Sequence, residues 1–165
     1  MRFNTCLISL LSYLKKILVF NSSPIVVGIV GILAAIGTVS YQGYVKSSKR
    51  SAATNIVQQT ALAQTEEYSN SGSYIITEAL DDAATLEQIE TEDCTATRTS
   101  SDTIESDLFS GDNIIADNIN FEICILGNSA TYKVIAKETN GQDPPGYTGC
   151  EISLIRNSLP KKTGC

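Results

Sequence analysis

The sequence predicts an α+β protein: a long N-terminal helix, membrane-spanning in its first half and amphipathic in its second, packed on a small antiparallel β-sheet. Three observations carry this. A charge-free run of 29 residues lies between Lys16 and Lys46. Apolar residues then recur at helical spacing as far as Tyr68. Beyond residue 113 the pattern changes to strand alternation in three short segments.

Charge divides the 165 residues in the same place. Arg2, Lys15, Lys16, Lys46, Lys49 and Arg50 stand in residues 1–50 with no acid among them. Residues 51–165 hold the other six bases and all 18 acids, a formal −12, so the net −6 averages two unlike pieces. The 115 residues after Arg50 suffice for a small core. There is no His, which excludes His-based triads and His metal sites. Neither a phosphate-binding glycine loop nor a Cys-x-x-Cys pair occurs. The chain therefore reads as a non-enzyme without a cofactor, and its acidic part opposes direct nucleic-acid binding.

Residues 1–17 form a basic, leader-like segment, and residues 18–45 the apolar half of the helix. Ile25 to Val45 spans about 31 Å as a helix, close to one hydrocarbon thickness. In Asn21-Ser22-Ser23-Pro24, Ser23 can cap while Pro24 takes the first helical position, where its missing N–H costs nothing. A buried core helix or a cleaved signal peptide are the bland alternatives. The run is long for the former, and it continues without a break into a polar helix, unlike the latter. Gly28, Gly31, Gly37 and Gly43 punctuate it, and Gly31 with Ala35 makes one small-xxx-small pair. Residues 46–76 are the amphipathic half and its turn. Ala53, Val57 and Ala61 repeat at i+4, flanked by Ile56, Thr60 and Ala63, until Asn70-Ser71-Gly72 ends the helix.

Residues 77–113 are acidic and rich in Ser and Thr, and read as a long loop with a short helix near 80–89. Residues 114–165 carry the sheet. Ile119, Phe121, Ile123 and Ile125 alternate with Asn120, Glu122, Cys124 and Leu126, the signature of a half-buried strand. Gly127-Asn128-Ser129 suits a tight hairpin. Tyr132, Val134 and Ala136 share one face of the next strand, and Ile152 and Leu154 belong to a third. Cys94, Cys124, Cys150 and Cys165 allow three disulfide connectivities, while Cys6 lies in the basic segment. Their spacing lacks paired thiolates, so no metal site is expected there.

Gly31-Ile32-Leu33-Ala34-Ala35-Ile36-Gly37, followed by Ser40-Tyr41-Gln42-Gly43-Tyr44-Val45, resembles the N-terminal helix of type IV pilins and type II secretion pseudopilins. The stretch from Thr60 to Tyr74 is similar to that family's helix end. The resemblance implies a pilin-like fold and a structural role as a pilin or minor pilin. It also implies processing between Ile17 and Leu18, and a membrane and filament helix that includes Pro24, Gly28, Gly31–Ile36, Tyr41 and Tyr44. The processing site departs from the family pattern. Aligned on the glycine-alanine motif, Ile17 stands in the place of the usual Gly and Ser22 in that of the Glu at the fifth mature residue. Anchoring on Phe20 instead puts Pro24 fifth.

Against that background the favoured pairing is Cys94–Cys124 and Cys150–Cys165. The second resembles the C-terminal disulfide loop of pilins, and closing it is worth about 3 kcal/mol in the chain-entropy model. Disulfides place residues 51–165 in an oxidising compartment, outside a bacterial inner membrane with the N-terminus inside. Three bases on each side of the span leave the charge rule balanced. Implied partners are other pilin subunits, the membrane, and a separate assembly ATPase with its platform. Two alternatives of other kinds are a pseudopilin for protein export and a membrane-anchored binding module that never polymerises. A DNA-uptake pilin would need a local basic tip, for which Arg156, Lys161 and Lys162 are the candidates. Asp107, Asp112, Asn113, Asp117 and Asn118 could offer oxygens to Ca²⁺ as pseudopilins do, but their order is not that of an EF-hand. Tyr147 is read as packing its loop rather than as an exposed adhesive aromatic.

Overall fold

The computed structural model describes residues 24–115, 119–140 and 146–165. Its elements are α1 (Pro24–Ser71), β1 (Glu78–Ala79), α2 (Leu86–Thr91), α3 (Arg98–Leu108), β2 (Phe121–Gly127), β3 (Tyr132–Thr139), β4 (Tyr147–Ile155) and β5 (Lys161–Thr163). The chain divides into two compact units, residues 1–46 and 47–165. The part of α1 from Ser47 onward belongs to the second.

The α+β class holds, with a mixed sheet in place of the antiparallel one expected. The strand order is β1-β2-β3-β4-β5. β2 to β5 form an antiparallel meander, while the two-residue β1 pairs in parallel with β2 through Glu78 and Leu126. Two strands and one helix go beyond the expectation. β1 and β5 are too short to show a period. α3 lies in the stretch read as loop, and α2 starts later than the helix expected near 80–89.

One face of the sheet buries the alternation read from the sequence. Phe121, Ile123 and Ile125 of β2 join Tyr132, Val134 and Ala136 of β3 and Ile152 and Leu154 of β4. Ala53, Ile56 and Val57 of α1 complete this core. Each fully buried Ile or Val contributes about 1.5–3 kcal/mol. The opposite face of β2 is also covered, which corrects the half-buried reading. Cys124 and Leu126 pack with Cys94, Ala96 and Ile135 in a second cluster. The apolar run Ile123-Cys124-Ile125-Leu126 suits a strand buried on both sides.

Side-chain hydrogen bonds fix the connections. Gly72, at φ +76°, ends α1 by donating its N–H to the Tyr68 carbonyl at 2.9 Å. Gln64 ties the last turns of α1 to the segment beyond Gly72. Its Oε1 accepts from the Ile75 N–H at 3.0 Å and its Nε2 donates to the Ile75 carbonyl. Gln64 is fully buried, so Gln64→Ala would leave both Ile75 groups unpaired. The expected cost is about 1–3 kcal/mol, read from the urea midpoint at unchanged slope. The β2–β3 hairpin is longer than the tight turn expected. Asn128 to Thr131 connect the strands, and Asn128 Oδ1 accepts from the N–H groups of Ala130 and Thr131 at 3.1 Å each.

Candidate functional site

In the first unit, the described residues present α1 from Pro24 to Lys46. Val26, Val27, Ile29, Val30, Ile32, Leu33 and Ile36 are all exposed, Ile32 and Leu33 to 63 %. At 100° per residue the arc they leave open is filled by Gly28, Gly31 and Ala35, so there is no polar side to turn toward water. Among the described residues this helix is the one long and apolar enough to cross a membrane. Tyr41 and Tyr44 follow the apolar run, 68 % and 73 % exposed, just before Lys46. A methyl group added at Gly28, Gly31, Gly37 or Gly43 would meet nothing within 4 Å. Among the described residues of one copy, nothing calls for glycine at these four positions. The Ile17–Leu18 processing position and Cys6 lie outside the described residues.

The second unit is closed by two disulfides. Cys94–Cys124 joins the segment after α2 to β2 across 30 residues, and Cys150–Cys165 joins β4 to the segment after β5 across 15. Cys94, Cys124 and Cys150 are buried, whereas Cys165 is exposed. The chain bearing Cys165 crosses tightly over β4. Gly164 sits at φ +67°, and a Cβ there would collide with the Gly149 carbonyl.

Two bases read as flanking the span act instead as clamps within this unit. Lys49 Nζ donates to Asn120 Oδ1 at 3.2 Å. Arg50 pairs with Glu138 at 2.9 Å and donates to the Cys165 carbonyl. Both members of the Arg50–Glu138 pair are mostly buried, so truncating one would strand the other's charge. Sequence reasoning missed this role because the partners lie 88 and 115 positions away. It also missed Lys133, whose Nζ donates to the carbonyls of Glu90 and Glu92 at 2.9 and 2.7 Å and so holds the C-terminal end of α2 on β3.

Tyr147 packs its surroundings: its hydroxyl donates to the Ala96 carbonyl at 2.7 Å, and Lys137 Nζ lies 5.2 Å from its ring centre. Of the acidic positions considered for calcium, Asp117 and Asn118 lie outside the described residues. Among the described residues no group of three or more His, Cys, Asp or Glu is placed to hold a metal. Glu105 is spent locally, its Oε1 accepting from the Ile115 N–H at 2.6 Å.

No family model, curated protein or solved structure matches the chain significantly.

Tyr132, at the start of β3, faces α1, its hydroxyl donating to the Ala61 carbonyl at 3.0 Å. Burial pushes its pKa above the ordinary 10.0, with hydrogen bonding to Thr65 acting the other way. The folded state thus holds its proton more tightly than the unfolded state. Its contribution to stability is complete below about pH 10 and is lost as pH rises from there through the folded pKa. Urea midpoints taken from about pH 8 to about pH 11 should fall in the parent chain and fall less steeply in Tyr132→Phe.

Proposed function

We propose that the chain is a structural subunit of a type IV pilus-like filament, a pilin or minor pilin, anchored in a membrane before assembly and without catalysis of its own. The supporting observation is the single helix Pro24–Ser71. Its first half exposes apolar side chains all round, and its second half buries one face under a disulfide-closed sheet. The resemblance of residues 31–45 to pilin helices gives that form its functional meaning.

On this reading the apolar half has two environments in turn. Lipid covers it first, and the helices of neighbouring subunits cover it afterwards. Its apolar surface stays out of water through the exchange, so the transfer need not oppose the hydrophobic effect. Glycines that contact nothing in one copy would then allow close approach of another copy's helix. Tyr41 and Tyr44, followed by Lys46, suit the outer membrane–water boundary. The N-terminus would lie in the bacterial cytoplasm and the disulfide-bearing unit in the periplasm, then on the cell exterior. Assembly would draw its energy from a separate ATPase and platform.

The test is N-terminal sequencing of protein sheared from the cell surface. Sheared filaments whose subunits begin near Leu18 are expected. Finding the chain only in membranes with Met1 in place would replace the filament by a static anchor. A periplasmic, unsheared form whose loss blocks protein export would favour the pseudopilin instead.

A further inference from the structure

Residues 159–165 lie on the second unit as a strap that its core does not hold. Arg156 is anchored just before it. Its N–H donates to the Tyr132 carbonyl at 3.1 Å, its Nη1 donates to the Ala130 carbonyl at 2.6 Å, and its guanidinium lies 5.6 Å from the centre of the Tyr74 ring. Asn157, at φ +62°, and Ser158 then turn the chain back. The Ser158 N–H and hydroxyl both donate to the Ile155 carbonyl, at 2.9 and 2.7 Å. From Leu159 to Cys165 no residue is buried. Leu159 is 87 % exposed, although it and Pro160 form one wall of an open groove that Leu154 and Tyr132 also line.

Within the strap, β5 pairs with β4 at three positions only: Glu151 with Thr163, Ile152 with Lys162 and Ser153 with Lys161. Ordering the seven residues of the strap costs more backbone freedom than so short a ladder returns when no apolar surface is buried with it. Two contacts at its far end supply the rest, the hydrogen bond from Arg50 to the Cys165 carbonyl and the Cys150–Cys165 disulfide. The Arg50 bond is open to water, so the covalent bond carries the attachment. Its two ends are unlike. Cys150 is 2 % exposed, whereas Cys165 is exposed. Both cysteines of the other disulfide are buried, so a thiolate arriving from solvent meets Cys165 first.

We propose that residues 159–165 are a redox-operated strap, opened by an external protein dithiol and closed again by reoxidation. One thiolate of the dithiol attacks Cys165 Sγ, the S–S bond breaks, and Cys150 leaves as a thiolate that takes up a proton. The second thiol then attacks the mixed disulfide and frees Cys165 as a thiol. Two electrons and two protons pass to the pair, and the dithiol becomes a disulfide. The strap then swings about Asn157 and Ser158. Its departure removes the Leu159–Pro160 wall of the groove. It also replaces an edge guarded by Pro160, Lys161 and Lys162 with the bare backbone of β4 from Glu151 to Ser153, which can pair with an extended chain. The unit beneath stays folded, because its two apolar clusters include no residue beyond Leu154. This device belongs to the second unit alone and does not depend on the filament reading.

The test uses the full oxidised chain in detergent micelles, titrated with dithiothreitol and sampled into iodoacetamide. Mass spectrometry should find Cys150 and Cys165 alkylated at dithiothreitol concentrations that leave Cys94–Cys124 bonded. Hydrogen exchange at those concentrations should show the β5 amides exchanging within about tenfold of an unstructured peptide, while β2 and β3 keep the protection of the oxidised chain. Cys165→Ser, which leaves the buried Cys150 in place, should show the same pattern without reductant. Replacing dithiothreitol by oxidised glutathione should restore β5 protection in the parent. β5 amides as protected after reduction as before it would overturn the proposal, because the strap would then hold without its bond. So would loss of protection in β2 and β3 together with β5, in the half-reduced parent or in Cys165→Ser, which would make the bond a staple of the core. Alkylation of Cys94 and Cys124 before Cys150 and Cys165 would overturn the route of opening.

Discussion

Replacing Cys94 and Cys124 together by alanine is expected to lower the stability of the 47–165 unit by about 4 kcal/mol. The bond closes 30 residues, for which chain entropy alone gives about 3.5 kcal/mol. The remainder comes from packing: both cysteines are buried in a small cluster with Ala96, Leu126 and Ile135, against which Leu80 packs, so two lost sulfurs leave a sizeable fraction of it unfilled. Domains of this size have about 5–15 kcal/mol in total, so the loss is a large share of the unit's stability. The damage should also be local in a readable way. The segment from α2 to Ala96 is held on the outer face of the sheet by this bond, by Lys133 and Lys137, and by Tyr147 through Ala96. Hydrogen exchange should therefore rise first at Ile89 and around Ala96, before the α1-facing core. Breaking Cys150–Cys165 should cost about 3 kcal/mol and loosen a different place, β4 around Cys150 and the C-terminal residue held by Arg50. Cys165 is exposed, so this bond should yield first to added reductant. A double alanine variant at 94 and 124 with an unchanged urea midpoint would show that the second cluster does not hold the outer layer.

How much of this was legible in the sequence depends on how local the signal was. The helix end at Gly72 and the inward faces of β2, β3 and β4 followed from period and turn chemistry, which act over a few residues. α3 did not. Its Arg98-to-Leu108 segment has four Ser or Thr in its first six residues and low intrinsic helicity. Tertiary contacts supply what propensity lacks. Ser100 donates to the Ile123 carbonyl at 2.6 Å, Ser101 accepts from the Ile123 N–H at 2.9 Å, and Ile104 is fully buried. One local clue was present, because Thr97 and Ser100 form a reciprocal cap. The covered outer face of β2 could have been read from its continuous apolar run, had that run been weighed above the alternation. Clamps such as Arg50–Glu138 carry no local trace, since the bases after the span look alike in sequence until the fold chooses their partners.

Ile36→Asp is expected to weaken membrane insertion by about 3–4 kcal/mol while leaving the 47–165 unit as stable as before. Ile36 lies near the middle of the run from Ile25 to Val45 and is 60 % exposed. A carboxylate there has no partner among the described residues of its own copy and, in lipid, no water. At that depth a charge costs about 3 kcal/mol, and the lost isoleucine adds a few tenths more. In cell fractions treated with alkaline carbonate, the parent should remain in the pellet and the variant should shift toward the supernatant. The urea midpoint of the disulfide-closed unit should not move. The contrast distinguishes environments that composition alone leaves level. Were this stretch of α1 bathed in water, an aspartate at an exposed position would raise solubility and change nothing else. Were it covered only by helices of other copies, membrane retention would persist while assembly failed, because the charge would be buried between neighbours without a counter-ion. Loss of retention with an intact second unit is the outcome that ties the apolar half of the helix to lipid.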